Sequence, residues 1–292
     1  MTSQTHSASI DVAIARATAA VRRAREHGGA VFVTAGAGMG VDSGLPDFRG
    51  PEGFWNAYPP YRHLGLDFTD LANPRWFKDD AAFAWGFYGH RLHLYRSTAP
   101  HEGYGLLKAL CDDVGTYAVL TSNVDGAFVK AGFHDDSVLT IHGDIHRLQC
   151  TRAAHECWSA NDIDVEVDPA TFRAHGVLPT CPTCGAVARP NILMFGDDHF
   201  DSGPTDVAEG RFSEFVAGLD VDAPHVIIEC GAGTAIPSVR RAGEGLLRHF
   251  TNSQLVRINV REAHVDDARL ADRVIGISSG AKAALVQLAV GW

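Results

Sequence analysis

Short β-branched apolar runs recur along this chain with helical patterns between them. Residues 30–34, 117–121, 225–229, 255–260 and 273–277 each read as a strand buried on both faces, and 138–141 reads as a weaker sixth. Helical periodicity fills 10–26, 81–96, 105–112, 126–131, 211–217, 239–248 and 281–288. Parallel strands need long crossovers, and helical crossovers cover both faces of the sheet they serve. The fold class expected is therefore α/β, with a Rossmann-like doubly wound parallel sheet. Two stretches break the rhythm. Residues 51–80 are rich in aromatics and prolines and read as an inserted lobe of loops and short helices, whereas 150–184 has little periodicity and reads as a small module held by something other than an apolar core.

The 292 residues are 46% apolar and 21% charged, enough for one large domain or one large and one small. The formal charge of −10, with no run of Lys or Arg, argues against nucleic acid as a direct ligand and favours basic protein partners. Residues 1–9 are polar and lack the apolar stretch of a secretory signal. The Ala- and Arg-rich stretch 10–25 fits a transit peptide, but Ile10, Ala13, Ile14, Ala17 and Val21 have the spacing of a docked first helix at least as well. No run approaches eighteen apolar residues, so no membrane span is expected. The grouping of four of the six cysteines suits a metal in a reducing compartment better than disulfides, and a cytoplasmic location is expected.

The first strand runs into Gly36-Ala37-Gly38-Met39-Gly40. Closely spaced glycines let the backbone approach a pyrophosphate, whose charge is met by amide groups at a helix start. The spacing is G-x-G-x-G rather than the dehydrogenase pattern G-x-G-x-x-G, and no acidic residue follows the second strand in the way an ordinary Rossmann enzyme supplies one for the ribose. A tight turn without ligand is the plain alternative. The run continues through Ser43, Gly44, Leu45, Pro46, Asp47, Phe48 and Arg49 to Gly50. An aromatic there covers a reacting sugar against water, and an Arg holds phosphate or ribose oxygens.

Asn123 and Asp125 follow the strand 117–121, at the edge where open parallel sheets meet their ligands. Asn offers a donor and an acceptor and Asp an acceptor, matching a ribose and a carboxamide; the alternative is that Asp125 only caps the helix at 126–131. His142 follows a short strand and precedes Gly143, which leaves its imidazole open to a cleft, with an ordinary pKa near 6.5 that suits a general base. His146 reads as a surface or supporting residue. Cys181-Pro182-Thr183-Cys184 is a good half-site for a tetrahedral ion. Cys150 and Cys157 are the other candidate pair, although six residues intervene where two to four are usual. Cys111 and Cys230 read as small core residues.

Taken together, residues 36–50, Gly53-Phe54-Trp55, Thr121-Ser122-Asn123-Val124-Asp125-Gly126, Ile141-His142-Gly143, Arg189-Pro190-Asn191-Ile192-Leu193-Met194-Phe195-Gly196-Asp197 and Ile258-Asn259 resemble, in order, the motifs of the bacterial-type sirtuins. The resemblance implies NAD-dependent removal of acyl groups from protein lysines, releasing nicotinamide and an O-acyl-ADP-ribose, with His142 as the base. It implies NAD contacts from Gly36, Ala37, Gly38, Asp47, Phe48, Arg49, Asn123 and Asp125. Gly231-Ala232-Gly233-Thr234 stands where the family has Gly-Thr-Ser, so Gly231, Gly233 and Thr234 are expected at the ribose and phosphates, Asn259 at the adenosine ribose, and the backbone near 279–281 at adenine. A structural zinc held by Cys150, Cys157, Cys181 and Cys184 is implied, and a peptide groove along 190–197 with Ile192, Leu193, Phe195 and Gly196 as substrate contacts.

In the same family a Tyr-x-x-Arg pair after the cofactor loop goes with acidic acyl groups. Tyr58, Tyr61 and Arg62 lack that spacing, so acetyl or a longer apolar acyl group is expected. The aromatics Trp76, Phe77, Phe83, Trp85, Phe87 and Tyr88 read as core of the insertion. The expected division is a flexible tail over 1–9, a Rossmann-like domain from 10–50, 97–145 and 190–292, and a small domain made of the helical insertion 51–96 and the zinc module 146–189. Two other readings use the same pocket: an ADP-ribosyltransferase or NAD hydrolase, and a non-catalytic NAD-binding regulator.

Overall fold

The computed structural model describes residues 2–47, 58–62 and 64–292, with side chains from Ile10 onward except at 60 and 61. Helix α1 spans Thr2–Glu26. It runs back through the segment read as a tail, because nothing between residues 2 and 9 is Gly or Pro to stop it. Strand β1 (Val31–Ala35) follows, then two 3₁₀ turns, Ala37–Met39 and Val41–Ser43. The inserted region carries the short helices α2 (Pro59–Arg62), α3 (Phe68–Leu71) and α4 (Trp76–Asp79), then the long α5 (Ala81–Ser97). Next come α6 (Glu102–Val114), β2 (Tyr117–Thr121), α7 (Ala127–Lys130), β3 (Val138–Thr140), β4 (Gly143–Cys150), β5 (Trp158–Ser159) and β6 (Ala188–Ile192). The chain ends with α8 (Gly203–Ala217), β7 (Val226–Cys230), α9 (Ser238–His249), β8 (Gln254–Ile258), β9 (Val274–Ile277) and α10 (Ala281–Ala289).

The six expected strands form one parallel sheet in the order β3-β2-β1-β7-β8-β9. Its two faces are read directly from β1. Val31, Val33 and Ala35 point to one side, with Ala17 and Val21 of α1, Leu107 of α6 and Leu285 of α10. Phe32 points to the other, against Leu247 and Phe250 around α9 and Phe212 of α8. The chain winds outward from β1 to β3 and then returns to lay β7 on β1's free side. The strand order therefore reverses between β1 and β7, the place where an open parallel sheet forms its ligand crevice beyond the carboxyl ends of the strands.

A second, antiparallel sheet of order β5-β4-β6 was not expected from periodicity. It shares a core with the insertion: Tyr58, Trp85, Phe87, Tyr88 and Leu92 pack with Ile145, Leu148 and Ile192. Trp85 Nε1 donates to the Ala188 carbonyl at 2.9 Å, fixing α5 on β6. Among the described residues, no helix is long and apolar enough to cross a membrane.

Candidate functional site

The crevice holds a cavity of about 410 Å³. Its floor is two glycine loops locked together. Gly36 N donates to Cys230 O at 3.0 Å and Gly38 N to Gly231 O at 3.1 Å. A Cβ on Gly38 would lie 2.8 Å from Gly231 Cα, and Gly231 adopts φ +63. The glycines at 36, 38 and 231 thus first let two sheet loops touch, and that contact brings both backbones to the cavity wall. Gly36, Ala37, Gly38, Asp47, Gly231 and Gly233 all line it. Phe48 and Arg49 lie outside the described residues, as do Gly53, Phe54 and Trp55.

Asn123, Asp125 and His142 line the same cavity. Asn123 is held from both ends: its N–H donates to Thr121 Oγ1 at 3.0 Å and its Nδ2 to Gly36 O at 3.1 Å. Asp125 Oδ1 accepts from Ala127 N at 2.8 Å, so the carboxylate caps α7 and lines the cavity together. Burial raises its pKa, with the Ala127 N–H and the charge of Arg91 working the other way. Burial likewise holds His142 below its ordinary 6.5, partly offset by the backbone of Ser122.

Residues 192–195 form the remaining wall, with alternate fates. Ile192 and Met194 are buried in the shared core while Leu193 is 42% exposed, and all four border the cavity. Three sequence-based expectations move away from the wall. Gly196 is exposed and not part of the lining. Thr234 turns its hydroxyl to Glu262, Oγ1 to Oε1 at 2.5 Å, with its N–H on the other carboxylate oxygen at 3.2 Å. Asn259 is buried with its amide fully engaged: Nδ2 donates to Ala232 O at 2.8 Å and Oδ1 accepts from the N–H groups of Arg261 and Glu262. It shapes the two loops around it and does not reach the cavity. Ala235 and Ile236, not anticipated, line it where Thr234 does not.

Away from the crevice, Cys150, His155, Cys181 and Cys184 place one ligand atom each within 4.8 Å of one another. Cys150 Sγ and Cys184 Sγ are 3.6 Å apart, near the separation of about 3.8 Å that two thiolates take on one tetrahedral zinc. His155 Nδ1 lies 3.2 Å from Cys181 Sγ. Burial alone would raise the Cys181 thiol, but N–H groups of Cys184 and Thr183 and the His155 ring bring it down to about 6, towards the thiolate a metal requires. Three sulfurs and one imidazole, all from protein, fit a closed structural zinc site with no position for water.

Cys157, expected as the fourth ligand, is not in this set. Pairing of Trp158 with Leu148 carries it past the cluster to Asp201, where its Sγ lies 3.2 Å from Oδ2. Burial, then the neighbouring carboxylate, pushes that thiol up to about 12, so it keeps its proton. Cys111 and Cys230 are buried core residues, as expected.

With this geometry in hand, comparison with known proteins is decisive at the level of family: the Sir2 family model matches residues 36–212, more than half of the chain. The chain belongs to the Sir2 family. Among curated relatives it is similar to the NAD-dependent protein deacylase of Aeropyrum pernix, 33% identical over 162 residues, which are 56% of this chain and 58% of that protein. The match therefore spans less than two thirds of that relative's length. It is also similar to the NAD-dependent protein deacylase of Aquifex aeolicus, 28% identical over 236 residues, 80% of this chain and 85% of that one. A solved Sir2 homologue in complex with NAD shares the fold, with a TM-score of 0.67 at 23% identity, covering 92% of this chain and 91% of that one.

For a Sir2-family chain, one part of the cavity wall was missed by sequence reading. Tyr88, Arg91 and Tyr95 of α5 line it. Tyr88-Gly89-His90-Arg91 has the Tyr-x-x-Arg spacing sought among Tyr58, Tyr61 and Arg62, one helix further along. Residues three and four apart share a helix face, so Tyr88, Arg91 and Tyr95 project together. Arg91 is buried, donates from Nε and Nη2 to Tyr95 Oη at 3.0 and 2.7 Å, and lies against the rings of Phe87 and Phe68. The buried hydroxyl of Tyr88 has no hydrogen-bond partner among the described residues. The signal was present but sat inside a segment whose aromatics read as plain core.

Proposed function

We propose that this chain removes acyl groups from lysine side chains with NAD as co-substrate, releasing nicotinamide and O-acyl-ADP-ribose. The observation that carries the reading is His142: an imidazole whose burial favours the neutral form, on the wall of a crevice it shares with Asn123, Asp125 and two glycine loops. The names of the Aeropyrum and Aquifex relatives support the same activity. Bound NAD would supply an electrophilic sugar carbon, to which an acyl oxygen bonds as nicotinamide leaves.

The chain's own residues do the rest. Gly36, Gly38 and Gly231 admit the pyrophosphate close to backbone. Asn123 and Asp125 orient the nicotinamide end. His142 takes a proton from a ribose hydroxyl at a ring nitrogen. The apolar wall of Ile192, Leu193 and Phe195 excludes water. Along that wall the N–H groups of Leu193, Met194 and Phe195 are already given to His142 O, Asp197 and Ala72 O. A substrate peptide laid against this segment therefore donates its own N–H groups to the segment's carbonyls.

The acyl group we infer ends in a carboxylate, in place of the acetyl group expected from Tyr58, Tyr61 and Arg62. The support is Arg91, a guanidinium beside an unsatisfied Tyr88 hydroxyl on the cavity wall. A guanidinium and a phenol on one helix face offer a ligand carboxylate charge-assisted hydrogen bonds.

The test is to incubate the purified chain with NAD alone, then with acetyl-lysine and succinyl-lysine peptides, following nicotinamide and acyl-ADP-ribose by mass spectrometry. Nicotinamide release that requires the acylated peptide, and is faster with succinyl, is the expected result. Release indifferent to the peptide would point to an NAD hydrolase. Arg91→Met should reverse the order of the two peptides; an unchanged order removes Arg91 from the acyl site.

A further inference from the structure

Asp125 sits on a loop that has left the parallel sheet, and its position depends on what holds the backbone there. Two consecutive carbonyls of that loop are caught by the second sheet. Ile145 N donates to Val124 O at 3.1 Å, and His146 Nε2 lies 3.1 Å from Asp125 O. A carbonyl has no proton to give, so Nε2 carries the hydrogen. Gly126 adopts φ +72, and a Cβ there would lie 2.9 Å from His146 Cδ2, so the ring packs flush against the turn. The ring is itself aimed from behind: Asp144 Oδ1 accepts from His146 N at 2.8 Å, at the point where β4 slips register against β6.

We propose that His146 is a positioning residue for Asp125, a strut running from the antiparallel sheet to the loop that meets the nicotinamide end of NAD. The inference rests on the reading of Asp125 given under the proposed function. It assigns His146 a task that neither a surface histidine nor a metal ligand would have. With the strut in place, the Asp125 peptide is fixed and its carboxylate presents to the cavity at one height. Without it, the carbonyl turns towards water and the carboxylate loses register with the ligand.

The experiment compares His146→Leu, which fills the space but cannot donate, with His146→Gln, whose amide can. Hydrogen exchange of residues 123–127 is measured first, because it reports the strut whether or not NAD binds. Faster exchange in His146→Leu, with return towards wild type in His146→Gln, is expected; unchanged exchange in His146→Leu overturns the proposal. Titration of NAD and of ADP-ribose follows. Loss of one hydrogen bond predicts a fall of about five- to tenfold in kcat/KM for NAD in His146→Leu, with ADP-ribose affinity held within twofold. Equal weakening of both ligands would mean general loosening and would refute the positioning role. If the wild type consumes no NAD, the functional reading fails while the exchange data still judge the strut.

Discussion

A histidine serves as a base only while uncharged, and the surroundings of His142 favour that form. Burial disfavours the imidazolium more than the Ser122 backbone supports it, so the folded pKa lies below 6.5. The neutral form is then complete above that value and is lost as pH falls through it. The acid limb of kcat/KM should therefore have its midpoint below 6.5, and a midpoint at or above 6.5 would contradict the assignment. His142→Ala should cost about 10²–10⁴-fold in turnover while NAD still binds, checked by single-turnover assay beside calorimetry. The residues on strand ends, Asn123, Asp125 and His142, were legible because the strands themselves were. Arg91 was not, because its helix buries Phe83, Trp85, Phe87 and Tyr88 around it and the pattern is that of a core. Thr234 and Asn259 are held by protein partners instead, because polar groups at strand ends have loop backbone and neighbouring side chains to satisfy as well as ligands.

At the scale of elements, the parallel strands announced themselves through continuous apolar runs, since both faces are covered. The antiparallel β4 carries Asp144, His146, Arg147 and Gln149 among its eight residues, and its alternation is too irregular to read. The module it anchors depends on ligand chemistry, and spacing alone chose Cys157, which the fold places outside the cluster. His155 lies in the turn before β5, whereas Cys157 is turned away beside Asp201. His155→Ala should lower zinc content and thermal stability, and Cys157→Ser should leave both near wild type, measured by metal analysis and melting. Zinc loss in Cys157→Ser with retention in His155→Ala would restore the four-cysteine reading.

Across the whole molecule, the two sheets meet at the crevice, so its walls come from both cores. The parallel sheet carries a buried ion pair that its apolar pattern did not foretell. Arg257 in β8 donates to Glu229 in β7 at 2.6 and 3.1 Å, with the Arg257 side chain wholly buried, and reaches Glu244 of α9 at 3.1 Å. Glu229 was read as part of a strand, but its charge could not be placed without its partner. Arg257→Met should destabilise the fold by about 3–5 kcal/mol, because Glu229 is left buried without its cation. Urea unfolding checks this, and a loss under about 1 kcal/mol would show that the pair is dispensable.

The proposed chemistry requires NAD to lie beside one imidazole. A crystal structure of the chain with NAD should show the dinucleotide in the crevice between the β1 and β7 loops, its pyrophosphate against Gly36–Gly38 and the nicotinamide-side ribose hydroxyl within hydrogen-bond reach of His142. A dinucleotide bound elsewhere, or bound there with the His142 ring turned from that ribose, would contradict it.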